Sequence, residues 1–171
     1  LTVHIPLREV ARVLSVETIV KQTRVVNADL KRYFGIARPR IAVTGLNPHA
    51  GEGGALGGEE QAVINPAIDL LRREGLEVEG PFPADSVFHE EARSRFDIVV
   101  CMFHDQALIP VKTIGFHEGV NATLGLPIVR TSPDHGTALS LAGSGKANPM
   151  SLISALKLAA SMAEHAQRAA Q

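Results

Sequence analysis

Apolar residues recur along this chain in two rhythms, and their alternation predicts an α/β fold. Unbroken apolar runs at 40–46 (RIAVTGL) and 97–102 (DIVVCM) have the length of strands buried on both faces. Elsewhere the spacing is helical. Residues 1–5 predict a strand end, and Pro6 opens a short helix through Leu14. Ser15 caps a longer helix to about Phe34, with Ile19, Thr23, Val26, Leu30 and Tyr33 on one stripe and Gly35 as its stop. A glycine-rich loop at 51–58 leads into a helix over 59–74, which Pro66 interrupts and Gly75 ends. A short strand follows at 76–79, then a helix from Asp85 or Ser86 to about Arg95. The pattern next predicts a helix over 105–114 containing Pro110, and extended chain over 119–131 broken at Gly125 and Pro127. A short helix near 137–142 and a long one from Asn148 or Ser151 to Arg168 complete it. The last helix, with Leu152, Leu156 and Ala159 on one side, reads as a packing helix at a domain surface or dimer interface. No linker, repeat or low-complexity tract divides the chain, so 1–171 reads as a single α/β unit.

Composition narrows the function classes. The chain has 17 Lys+Arg against 18 Asp+Glu, a formal net charge of −1, which argues against nucleic acid and against a polybasic membrane patch. No apolar run approaches the roughly 20 residues of a membrane span. The start lacks a basic region followed by an apolar stretch, as a secretion signal would have. A lone cysteine, Cys101, excludes an internal disulfide framework. These features lead us to expect a soluble, cytoplasmic protein. Leu1 in place of an initiator Met suggests a piece of a longer chain.

Several familiar motifs fail. Gly51-x-Gly53 begins a dinucleotide fingerprint, but Leu56 stands where its third glycine belongs. Gly145-Lys146 is followed by Ala147, so there is no P-loop, and no G-x-S-x-G elbow occurs. His89-Glu90-Glu91-Ala92-Arg93 misses the second histidine of a zincin helix.

Three of the seven histidines stand out by position. His4 follows the strand-like start, His49 comes shortly after the run at 40–46, and His104 comes just after that at 97–102. The carboxyl ends of parallel strands are where α/β sheets bind ligands, and three neutral imidazoles converging there would form an open metal site. Asp85 and Asp105 are candidates to orient those imidazoles or to accept a proton. Lys112, Asn121 and Arg130 form a cationic and amide cluster downstream, suited either to a carboxylate or phosphate ligand or to a structural ion pair.

The segments carrying these residues are Val3-His4-Ile5-Pro6-Leu7-Arg8, Gly45-Leu46-Asn47-Pro48-His49-Ala50-Gly51-Glu52-Gly53-Gly54 and Gly80-Pro81-x-Pro83-Ala84-Asp85. They continue with His104-Asp105-Gln106, Gly125-Leu126-Pro127 and Arg130-Thr131-Ser132-x-Asp134-His135-Gly136-Thr137-Ala138. In order and spacing they resemble the 4-hydroxythreonine-4-phosphate dehydrogenase family of pyridoxal phosphate biosynthesis, across essentially the whole chain. The resemblance is to the C-terminal portion of that family. It implies a fold similar to isocitrate and isopropylmalate dehydrogenases, with alternating strands and helices around a mostly parallel sheet, and a homodimer with a shared active site.

Residue by residue, the resemblance puts metal-binding histidines at His4, His49 and His104, contributed by both subunits, and substrate contacts at Lys112, Asn121 and Arg130. Gly53 and Gly54, with Asp134 and His135, become candidate cofactor-side elements, although those glycines could simply permit turns. The implied activity is NAD- or NADP-dependent, divalent-metal-dependent oxidation of 4-phosphooxy-L-threonine to a β-keto acid that decarboxylates to 3-amino-2-oxopropyl phosphate. Asp105 and Asp85 would serve as proton acceptors or ligand holders. Zinc suits three histidines, with magnesium or cobalt as other occupants. Two further expectations stand beside this one: a paralogue acting on another phosphorylated hydroxy acid, such as a four-carbon sugar acid phosphate, and a non-catalytic fragment that dimerises and binds metal.

Overall fold

The computed structural model describes residues 1–136, 139–169 and 171. Within them the first helices are α1 (Leu7–Val13) and α2 (Val16–Phe34), followed by strand β1 (Arg40–Thr44), α3 (Asn65–Arg73) and β2 (Glu77–Phe82). Then come α4 (Glu90–Arg95), β3 (Ile98–Val100), α5 (His104–Gly115), the short strands β4 (Val120–Ala122) and β5 (Thr131–Pro133), and α6 (Met150–Ala169). None of these helices is long and apolar enough to cross a membrane.

The alternation expected from the pattern is present. β2, β1 and β3 form a parallel sheet in that order, with Ile41 opposite both Val78 and Ile98. β1 is central and buried from Ile41 to Thr44, as a run of apolar residues without alternation requires. The core gathers Ile41 and Val43 of the sheet, Val10 and Ile19 of the first two helices, and Ile64, Ile68 and Leu71 around α3. β4 and β5 form a separate antiparallel ribbon, against which α6 packs.

Local signals explain most boundaries. The Ser15 hydroxyl accepts the Thr18 N–H at 3.1 Å, and Gly35 ends α2 in the left-handed region at φ 69°. Pro66 cannot donate a backbone hydrogen bond, and the chain just before it, Glu60–Ile64, widens into a π-helical turn before α3 begins.

Four expectations need correction. Residues 1–5 are not a strand; the segment is tied beside β3 by the Thr2 N–H and hydroxyl, both donating to the Met102 carbonyl, and by the Leu1 amino group on the Cys101 carbonyl. β2 runs on to Phe82, beyond the expected end at 79, because its pairing with β1 continues past a register shift. The helix expected from Asp85 or Ser86 starts later: those residues sit in a turn closed by the Ser86 N–H on the Pro83 carbonyl, and the His89 ring caps α4 instead. Residues 119–131 are extended as expected, divided into β4 and the approach to β5. Of the helix expected near 137–142, residues 137 and 138 lie outside the described residues, and Leu139–Leu141 form a 3₁₀ turn.

Candidate active site

The crossover after β1 leads to one edge of the sheet, and the next leads to the other. The carboxyl ends of β1 and β3 therefore flank a point where strand order reverses, the usual ligand crevice of an open parallel sheet. Two loops meet there: Gly45–Gly54 after β1 and Cys101–His104 after β3.

Gln106 ties them together. Its Nε2 donates to the Gly45 carbonyl at 2.8 Å, while its Oε1 accepts the Met102 N–H at 2.8 Å and the Thr44 hydroxyl at 3.1 Å. His104 opens α5 beside this clip. The segment tied to Met102 brings His4 against it, with ring centroids 5.6 Å apart. His104 Nδ1 shares a 2.8 Å hydrogen bond with the Asp105 carboxylate. With the proton on Nδ1, that bond orients the ring and leaves Nε2 with its lone pair, the arrangement of a carboxylate-supported metal ligand.

His49 is exposed on a different element, the turn Pro48–Gly54. Six consecutive residues there have positive φ: His49 at 52°, Ala50 at 51°, Gly51 at 77°, Glu52 at 44°, Gly53 at 65° and Gly54 at 100°. For His49, Ala50 and Glu52 this conformation costs about 1–2 kcal/mol per residue. Among the described residues no group of three His, Cys, Asp or Glu side chains converges on one point. One chain thus pairs two of the three expected imidazoles and presents the third separately. The donor set suits a divalent cation, in that two imidazoles approach one another and one is backed by a carboxylate.

Two residues with no role expected from the sequence organise this region: Gln106, and Glu60 at the start of the π-helical turn. Glu60 is only 2% exposed. Its carboxylate accepts the N–H groups of Leu46 and Asn47, each at 2.8 Å, and the Asn47 side-chain amide at 3.0 Å. Burial pushes its pKa up, but the hydrogen bonds from Asn47 and Leu46 outweigh this and hold it below the ordinary carboxylate value. A glutamate entering a helix reads as solvated; the only hint in the sequence is its place directly after the glycine-rich loop.

The downstream cluster assembles differently from a simple anion clamp. Lys112 Nζ donates to the Asp134 carbonyl at 2.8 Å and carboxylate at 3.0 Å, which joins an expected substrate residue to an expected cofactor residue. Arg130 is exposed and donates to the Thr123 hydroxyl at 2.6 Å, so it is not a desolvated charge in need of a carboxylate partner. The ribbon pairs Asn121 with Ser132, and the Thr123 N–H donates to the Arg130 carbonyl. That register puts Asn121 and Arg130 on one face. Asp85 and Asp105 are both exposed and line one cleft of about 580 Å³, walled by Phe88, Phe103, Ile109 and Ile114.

Gly53 and Gly54 lie exposed on the left-handed turn, and a Cβ at Gly53 would meet nothing within 4 Å, so its glycine answers to φ rather than to packing. His135 lines a separate cavity of about 400 Å³ with His117, Asn148 and Ser151. Thr137, in the same expected cofactor turn, lies outside the described residues.

Residues 1–159 match the family described as "Pyridoxal phosphate biosynthetic protein PdxA". Over 162 residues the chain is 61% identical to a 4-hydroxythreonine-4-phosphate dehydrogenase of Bradyrhizobium diazoefficiens, covering 95% of this chain and 47% of the relative. Among solved structures it is similar to the 4-hydroxythreonine-4-phosphate dehydrogenase of Klebsiella pneumoniae, with a TM-score of 0.84, 45% identity, and coverage of 95% of this chain and 49% of that one. It is also similar to a terephthalate 1,2-cis-dihydrodiol dehydrogenase of Burkholderia xenovorans, with a TM-score of 0.75, 31% identity, and coverage of 94% and 50%. The chain spans about half the length of the curated relatives it matches.

Proposed function

Since the chain belongs to the pyridoxal phosphate biosynthetic PdxA family, we propose that it supplies the C-terminal share of a 4-hydroxythreonine-4-phosphate dehydrogenase active site. The reaction is the NAD- or NADP-dependent oxidation of 4-phosphooxy-L-threonine to a β-keto acid, which decarboxylates to 3-amino-2-oxopropyl phosphate. The observation that carries this reading is the pairing of His4 with His104, backed by Asp105, at the strand-order switch.

In this reading His4, His49 and His104 hold a divalent metal, with zinc favoured by three imidazoles over magnesium or cobalt. When bound, the metal supplies Lewis-acid polarisation of a substrate hydroxyl oxygen, and the nicotinamide supplies the hydride acceptor. His49 reaches the site from a second copy of the chain, so the working form is a homodimer with a shared site. Lys112, Asn121 and Arg130 bind the anionic ends of the substrate. Lys112 has a third N–H left after its two bonds to Asp134, and Arg130 commits one donor to Thr123 and keeps the rest toward solvent. Asp105 holds the His104 ring, and Asp85, which lines the same cleft as Asp105, accepts a proton in this reading. Gly53, Gly54, Asp134 and His135 stand on the cofactor side. Residues 1–171 act as one α/β unit of an isocitrate/isopropylmalate dehydrogenase-like fold, in the cytoplasm.

A second reading has a specific observation behind it. The similarity to a dihydrodiol dehydrogenase means that this architecture also occurs in a protein named for an unphosphorylated diol. Identities of 45–61% against 31% favour the phosphorylated amino acid. The test is a substrate panel on the product of the reading frame that contains this chain, with divalent metal present and NAD reduction followed by nicotinamide absorbance. Turnover of 4-phosphooxy-L-threonine well above that of a cis-dihydrodiol or a four-carbon sugar acid phosphate is expected. Preference for either alternative substrate overturns the assignment.

A further inference from the structure

We propose that Glu60 is a positioning residue whose carboxylate fixes the root of the left-handed turn and thereby aims His49. The inference rests on the reading of His49 as a metal ligand and extends it to a side chain that touches no ligand.

The turn needs an external hold. Its six positive-φ residues include three with side chains, a conformation that L-residues leave unless their surroundings impose it. Beyond the i→i+3 bonds of the turn itself, its far end is closed by the Ala55 N–H on the Glu52 carbonyl at 3.3 Å, the Leu56 N–H on the Gly51 carbonyl at 3.1 Å, and Gln61 Nε2 on the Gly53 carbonyl at 2.6 Å. The near end, at Leu46 and Asn47 with Pro48 between them and His49, is held by Glu60. One of its oxygens takes the consecutive N–H groups of Leu46 and Asn47, and the other takes the Asn47 amide. Asn47 also donates to Glu59 at 2.8 Å, which fixes its side chain.

The fit leaves little latitude. A Cβ on Gly51 would lie 2.5 Å from Glu60 Oε2, so the turn backbone rides directly over the carboxylate. Among the described residues no Lys, Arg or His forms an ion pair with Glu60. A nearly fully buried carboxylate held by amides alone is an expensive feature. Glutamine has the same shape, but whichever way it turns its NH₂ faces a donor, the Asn47 amide or the two backbone N–H groups, so Glu60→Gln weakens the hold while filling the space.

The probe is Co²⁺ titrated into the 171-residue chain, with affinity and visible absorption recorded for wild type, His49→Ala, Glu60→Gln and Asn47→Ala. Amide hydrogen exchange is followed alongside. We expect His49→Ala and Glu60→Gln each to weaken cobalt about ten- to a hundredfold, the range typical of groups that orient metal ligands. In Glu60→Gln the Leu46 and Asn47 amides exchange faster while Ile41 and Val43 stay protected. Asn47→Ala, which removes only the side-chain donor, gives a smaller loss and serves alone if Glu60→Gln does not fold. Wild-type cobalt binding in Glu60→Gln, or in Asn47→Ala where Glu60→Gln is unfolded, with His49→Ala impaired, overturns the positioning role and leaves the ligand reading standing. A wild-type chain that takes up no cobalt, or a His49→Ala chain indistinguishable from it, overturns the ligand reading and the inference together.

Discussion

A buried carboxylate without a cation depends on its hydrogen-bond donors, and this gives Glu60 a pH signature. Its pKa in the folded chain lies below the ordinary 4.5. A depressed folded pKa contributes stability that is fully present above the unfolded value and is lost as pH falls through the lowered folded value. Urea unfolding at neutral pH and in mild acid should therefore show Glu60→Gln less stable than wild type at neutral pH, with the gap narrowing as the medium is acidified. A gap that is constant with pH contradicts this. Cys101 makes the opposite case. It is 6% exposed, and burial pushes its thiol up to about 11. Alkylation in mildly alkaline buffer should be slow on the native chain and fast after unfolding, and equal rates would contradict its burial. The two residues also mark what was legible at this scale. His4, His104 and Asp105 stand out in the sequence because their chemistry is conspicuous. Glu60 and Gln106 do not, because their roles depend on loops brought together from 13 to 61 positions away.

Among the elements, local signals were readable where one residue decides the outcome. Ser15 and Gly35 bound α2 as expected, and Ser15→Ala should cost about 1 kcal/mol in thermal or chemical unfolding. Gly35→Ala should cost more than about 1 kcal/mol, whereas the same change in strain-free backbone would stabilise by roughly 0.4–1 kcal/mol. Position 35 sits at φ +69°, and a Cβ there would lie 2.7 Å from the His165 ring of α6. If the two variants rank the other way, the α2–α6 contact has been misjudged. The helix expected at Asp85 was misplaced because Asp and Ser favour turns as readily as caps, and Pro83 settles the matter by accepting the Ser86 N–H. Pro66 announced a break in its helix, but not the π-helical turn that sets Glu60 under the loop. The ribbon of β4 and β5 was legible only as extended chain, since its antiparallel pairing joins residues about ten apart across Gly125 and Pro127.

At the scale of the molecule, a ligand crevice follows from the parallel sheet and its strand-order switch; the apolar runs and the helices between them announce the sheet, while the order β2-β1-β3 emerges only from the folded chain. The sequence does not show which histidines meet. His4 and His104 do, because residues 1 and 2 bond to the chain just after β3, whereas His49 faces outward from a turn of its own. α5 carries His104 and Lys112 yet has no buried residue, and it leaves Ile109 and Ile114 more than half exposed. In a chain that spans about half of its curated relatives, such a face accords with a site completed from outside the single chain. The most direct test of the account is a zinc titration of the 171-residue chain followed by native mass spectrometry. The account predicts a dimer that retains zinc in the wild type and loses it in each of His4→Ala, His49→Ala and His104→Ala. Zinc held by monomers, or kept at wild-type stoichiometry by His49→Ala, would contradict it.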